Sequence, residues 1–84
     1  MAGGHTLETL RTGVPARIGA IDWEALDPMC AARLRDFGFD DGVLVETLHA
    51  GPIGRDPLAI RVGRMTVAIR RAHARAIRVV PEAA

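Results

Sequence analysis

The twelve residues LAIRVGRMTVAI, Leu58 to Ile69, limit the possible folds of this chain more than any other stretch. A two-residue type II′ turn at Gly63-Arg64, with glycine at the first central position, would pair Val62 with Met65, Ile60 with Val67 and Leu58 with Ile69. Every pair on that face is apolar. The opposite face pairs Arg61 with Thr66 and Ala59 with Ala68, and a slip of one residue would drive Arg61 inward, so the pattern predicts a single register. Three matched pairs at roughly 0.2–1 kcal/mol each are enough to set the geometry of a small sheet.

The flanking sequence supplies further short elements. Val14 to Ile21 reads as a strand, bent at Gly19, with Pro15 near its start suggesting a sheet edge. The run LDPMCAARLRDFGF carries both helix signals, Asp27 as N-cap before Pro28 and Gly38 as the left-handed stop, so the helix is predicted over Pro28 to Phe37. Cys30, Leu34 and Phe37 form its apolar stripe, which makes Cys30 a packing thiol, and Phe39 is expected to fold back on the last turn. Asp40-Asp41-Gly42 is a turn, and Val43 to Leu48 a strand. Ala72 to Ala76 has room for one helical turn, and Ile77 to Val80 is a closing strand ended by Pro81.

Five short strands around one helix of about ten residues cannot make a parallel α/β sheet, whose every strand needs a long crossover. The predicted fold class is mainly β: a small, partly open antiparallel barrel with one inserted helix. At 84 residues there is material for one core only. The domain is placed at 6–80, with loose ends at 1–5 and 81–84.

What chemistry can such a chain perform? It contains no Ser, Lys, Tyr, Asn or Gln. A serine nucleophile, a Schiff-base lysine, a tyrosine acid and an amide oxyanion donor are therefore all excluded, and no catalytic residue is assigned. One cysteine permits no internal disulfide and no paired-thiolate zinc site. His5, His49, His73 and Cys30 show no chelating spacing, so no metal site within one protomer is predicted; weak transition-metal binding between protomers stays open, as does self-association. No apolar run approaches the 18 or more residues of a membrane helix, and the chain is expected to be cytoplasmic.

The glycines of HAGPIGRDPLAI raise the alternative of a phosphate loop. That loop requires a lysine after its second glycine and a helix directly beyond. Here Gly54 is followed by Arg55-Asp56-Pro57 and a strand, so the glycines are read as bends between two barrel strands, and no cofactor is expected. Charge is unevenly placed: residues 1–54 hold four Arg against eight acids, net −4, and residues 55–84 hold seven Arg against two acids, net +5. A bipolar chain suits an acidic protein partner or nucleic acid. Trp23, Phe37 and Phe39, the only aromatics, all lie outside the basic half, which leaves no stacking platform for single strands.

Read from Arg33 to Val80, the order Arg33-Leu34, Phe37-Gly38, Gly42, Pro52-Ile53-Gly54 with Asp56-Pro57, Ile69-Arg70 and Ala76-Ile77 resembles the FeoA family of small ferrous iron transport proteins. TLETLRTGVPARIGAI resembles the start of the same domain. The resemblance implies an SH3-like barrel with an inserted helix. It further implies a non-enzymatic cytosolic accessory that acts with the FeoB-type ferrous iron transporter; from the residues themselves, no nucleic acid and no membrane insertion are expected. Arg55 stands as an extra residue against the family pattern and is expected to lengthen its loop. Partner-binding residues are assigned to that loop and the arginines beyond it, namely Pro52, Ile53, Gly54, Arg55, Asp56, Arg70 and Arg71, since loops on rigid barrels commonly carry recognition. Exchange of Arg55, Arg70 and Arg71 for Glu is expected to abolish partner binding and leave the fold intact.

Overall fold

The structure is a computed structural model that describes residues 5–82. Five strands form one antiparallel sheet: β1 (Pro15–Ile21), β2 (Leu44–Ile53), β3 (Asp56–Val62), β4 (Met65–Ile69) and β5 (Ile77–Pro81). Their order across the sheet is β4-β3-β2-β1-β5. Helix α1 (Pro28–Asp36) lies between β1 and β2, after a 3-10 turn at Trp23–Ala25, and the short α2 (Arg71–Ala74) joins β4 to β5.

The β3–β4 hairpin has the predicted register throughout: Leu58 faces Ile69, Ile60 faces Val67 and Val62 faces Met65. Gly63 has φ +59° while Arg64 keeps a negative φ, which is the II′ signature. Leu58, Ile60, Val62 and Ile69 are buried and Val67 is half-buried. Met65 departs from the expectation, being 42% exposed although its partner Val62 is buried, because it lies on the end strand of the sheet, next to the turn.

Register shifts bend the sheet at Ile18/Ala20, as Gly19 foretold, and at Thr47/His49 and Ala50/Ile53. The bent inner face encloses Leu7, Ile18, Phe39, Val45, Ile60, Ile77 and Val79, all almost wholly buried. Helix α1 closes over this core with Leu34, while Cys30 and Phe37 pack partly against it. Asp27 caps α1 by accepting the Cys30 N–H at 2.8 Å. The helix stops through paired bonds, Gly38 N–H to the Arg35 carbonyl and Phe39 N–H to the Leu34 carbonyl, with Gly38 at φ +94°. That stop is what delivers Phe39 into the core.

Two expectations need correction. Strand β1 is not an edge: it pairs with β2 on one side and β5 on the other. Pro15 is tolerated because it is the first residue of the strand, where its carbonyl accepts from Glu82 N–H and no ladder donor is required of it. The ordered chain also extends past the expected ends. His5 accepts from Val79 N–H through its carbonyl, Thr6 bridges Arg78, and Pro81 belongs to β5. Residues 1–4 and 83–84 of the expected loose ends lie outside the described residues.

Candidate functional site

Strand β2 runs farther than its β-rich segment suggested, through Gly51 and Pro52 to Ile53, where it turns into β3. The Ile53–Asp56 pair closes this turn, and both central residues have positive φ, +64° at Gly54 and +58° at Arg55. This is a type I′ turn, whose backbone twist matches that of the strands. Arg55 fills the second left-handed position of this turn, one that an L-residue takes at a cost of roughly 1–2 kcal/mol. Gly51 allows the close crossing beneath the turn: a Cβ there would lie 2.7 Å from the Asp56 carbonyl carbon and 3.0 Å from Pro57 N.

The turn is anchored from the far side of the hairpin. Asp56 accepts the backbone N–H of Arg71, the first residue of α2, at 3.0 Å, and the Arg71 guanidinium donates to the Gly54 carbonyl at 2.8 Å. The same guanidinium reaches Glu8 at 2.9 Å, and Arg75 donates to the same Glu8 oxygen at 3.0 Å. The hydrogen bond from Arg75, helped by Arg71 and opposed by partial burial, holds the Glu8 carboxyl below its ordinary range. Neither Glu8 nor Arg75 had been singled out by sequence; the acidic first half and basic second half signalled attraction without naming the pair.

The seven assigned residues thus lie in the β2–β3 turn and at the start of α2, which Asp56 and Arg71 tie together, but they divide into two kinds. Pro52, Ile53, Gly54, Arg55 and Arg70 face solvent, with Ile53 83% exposed. Asp56 and Arg71 are half-buried and hold the others in place. The expectation that Arg71 can be exchanged for Glu with the fold intact is therefore replaced: a carboxylate at position 71 would face Glu8 and the Gly54 carbonyl, both negative or partly so.

A second concavity, of about 210 Å³, lies between α1 and the start of α2 and is lined by Met29, Cys30, Phe37, Ile69, Arg70 and His73 among others. Met29 is 75% exposed at its mouth. Burial, with Asp27 adding to it and Arg33 opposing, raises the Cys30 thiol above its ordinary pKa, which suits packing and not nucleophilic attack. Among the described residues no three His, Cys, Asp or Glu side chains gather as a metal site. No helix among them is long and apolar enough to cross a membrane.

The sheet and its inserted helix have counterparts among known proteins. A model of the FeoA domain matches residues 5–81. The FeoA protein from Chlorobium tepidum is 29% identical and superposes with a TM-score of 0.82, covering 94% of this chain and 71% of that one. Iron(II) transport protein A from Clostridium thermocellum is also 29% identical, at TM-score 0.77 over 89% of this chain and 44% of that one. FeoA from Stenotrophomonas maltophilia, solved with zinc, is described as a prokaryotic SH3 domain protein suggested to act as a ferrous iron transport activating factor. It is 30% identical at TM-score 0.77, covering 90% of this chain and 89% of that one. Among curated proteins no sequence is significantly similar. The five-stranded SH3-like barrel with its inserted helix, together with the family match over nearly the whole chain, establishes that this protein belongs to the FeoA family.

Proposed function

We propose that the protein is a non-enzymatic, cytoplasmic accessory of ferrous iron uptake that docks on the cytosolic part of an FeoB-type membrane transporter through the β2–β3 turn and Arg70. The observation that carries this reading is Ile53, 83% exposed beside a turn that Asp56 and Arg71 brace, with the exposed cations Arg55 in the turn itself and Arg70 next to Arg71 in the chain. A large apolar side chain beside a braced turn that carries arginine has the makeup of an interface hot spot, since the ordering cost is met before the partner arrives. The absence of Ser, Lys, Tyr, Asn and Gln supports a role without turnover.

Calorimetry against the purified cytosolic domain of the host's transporter tests the proposal. Ile53→Asp combined with Arg55→Glu and Arg70→Glu, leaving Arg71 in place, should weaken binding by about tenfold or more. Unchanged affinity in a folded variant would remove this surface from the interface.

The zinc bound by the Stenotrophomonas protein favours a second reading, transition-metal binding. The described residues offer no three-ligand cluster, and the form this reading takes is a site shared between protomers. Zinc titration that left sedimentation unchanged and released no heat would dispose of it.

A further inference from the structure

Strand β4 ends the sheet on one side, and among the described residues none pairs with its outer backbone edge, whereas the other end strand, β5, is covered by His5–Leu7, which supply bonds to Ile77 and Val79 and the bridge to Arg78. In a two-residue hairpin the residues flanking the turn exchange both hydrogen bonds, so Met65, Val67 and Ile69 bond inward to β3 while the N–H and C=O groups of Thr66 and Ala68 point outward. The strand MTVAI carries no charge and no proline, which are the usual means of blunting an edge. Alongside its second half runs the concavity of about 210 Å³, with Ala68, Ile69 and Arg70 on one wall and Met29 and Cys30 of α1 and its C-cap Phe37 on the other. A strand edge beside a helix is the arrangement in which an extended segment adds to a sheet and places alternate side chains in the groove.

The charges decide what that segment is. Arg64, in the β3–β4 turn, and Arg70, the N-cap of α2, flank the strand at its two ends, and among the described residues neither takes an ion pair. Pairing with the β4 of a second copy, antiparallel about Val67, would set Thr66 against Ala68 and also Arg64 against Arg70 at both ends, where like charges directly opposite oppose the pairing. A segment with acidic residues at those two positions reverses the sign.

We propose that the edge of β4 and the adjoining face of α1 bind an extended peptide segment of a partner protein by strand addition, the segment carrying two acidic residues six positions apart with apolar β-branched residues alternating between them. The acids sit across from Arg64 and Arg70; the apolar side chains opposite Val67 and Ile69 enter the groove beside Met29 and Phe37. This site stands apart from the transporter reading, sharing only Arg70 with it, and its test needs no transporter.

The probe is the blocked, fluorescently labelled peptide Glu-Val-Thr-Val-Thr-Val-Glu, with Lys-Val-Thr-Val-Thr-Val-Lys as its counterpart, each titrated by anisotropy against the full chain. The acidic peptide should bind about tenfold or more tightly than the basic one. Thr66→Pro and Ala68→Pro each delete one outward N–H and no ladder bond, so both should abolish binding while retaining the fold. Arg64→Glu with Arg70→Glu should invert the preference, and that readout decides the matter if the proline variants fail to fold. Equal binding of the two peptides, no binding of either, or binding that survives both proline variants would overturn the proposal. So would a homodimer of the chain that Thr66→Pro dissociates, since a second copy would then own the edge.

Discussion

Glu8 and Arg71 stand 63 positions apart in the chain and meet at 2.9 Å. Around that contact the N-terminal turn, the β2–β3 turn and α2 are drawn together, because the Arg71 guanidinium also holds the Gly54 carbonyl and its backbone N–H is held by Asp56. One residue thereby braces the surface proposed for docking without itself being displayed there.

The depressed Glu8 carboxyl makes this brace sensitive to acid. With its folded value below the ordinary 4.5, Glu8 contributes stability that is whole above that value and is lost as the pH falls through the folded one. Glu8→Gln should melt at a lower temperature than the parent chain at pH 7, and the difference should shrink steadily below about pH 4. Thermal melts across that range check it; a gap that stays constant in acid would mean the carboxylate charge is not what matters.

Arg55 occupies a left-handed backbone position that glycine takes freely. Arg55→Gly should raise unfolding stability by about 0.5–1 kcal/mol, the relief of the turn being partly offset by greater freedom in the unfolded chain. Urea unfolding measures the gain. The same variant should bind the transporter's cytosolic domain more weakly, separating stability from docking at a single residue.

At Gly51 the added methyl group meets backbone, which cannot swing aside. Gly51→Ala should cost about 1–3 kcal/mol and shift the β2–β3 turn, seen as lost amide protection in the 51–57 segment.

Thr47 is 1% exposed, and its hydroxyl has no hydrogen-bond partner among the described residues. Its shape fits the inner face beside Ile60, opposite which it lies in the sheet. Thr47→Val should therefore stabilise the domain by about 1 kcal/mol in denaturant titrations, since an unpaired polar group is replaced by a methyl of similar size.

The parts of this structure legible in sequence were those set by local chemistry. Gly63 fixed one turn, Asp27, Pro28 and Gly38 marked both ends of α1, and the alternation from Leu58 to Ile69 dictated a register in which only Met65 proved more exposed than expected. Pro15 misled because a proline at the first position of a strand and one on an edge strand look alike until the strand's neighbours are known. The candidate site was found as a segment and misread in its parts: exposure separates Arg55 and Arg70 from Arg71, and that depends on Glu8, far away in the chain. The outward amides of Thr66 and Ala68 were equally hidden, since pairing β3 with β4 says nothing of whether a further strand follows.

The strand order has a kinetic corollary. Strands β2, β3 and β4 are joined by two-residue turns and can zip in sequence, each closure spanning little chain. The β1–β5 seam, fastened where Arg17 meets Glu82 across 65 residues, must wait for nearly the whole polypeptide to be gathered. Because closure entropy grows with the length of chain enclosed, the meander should nucleate and the seam should be the last joint made and the first to open.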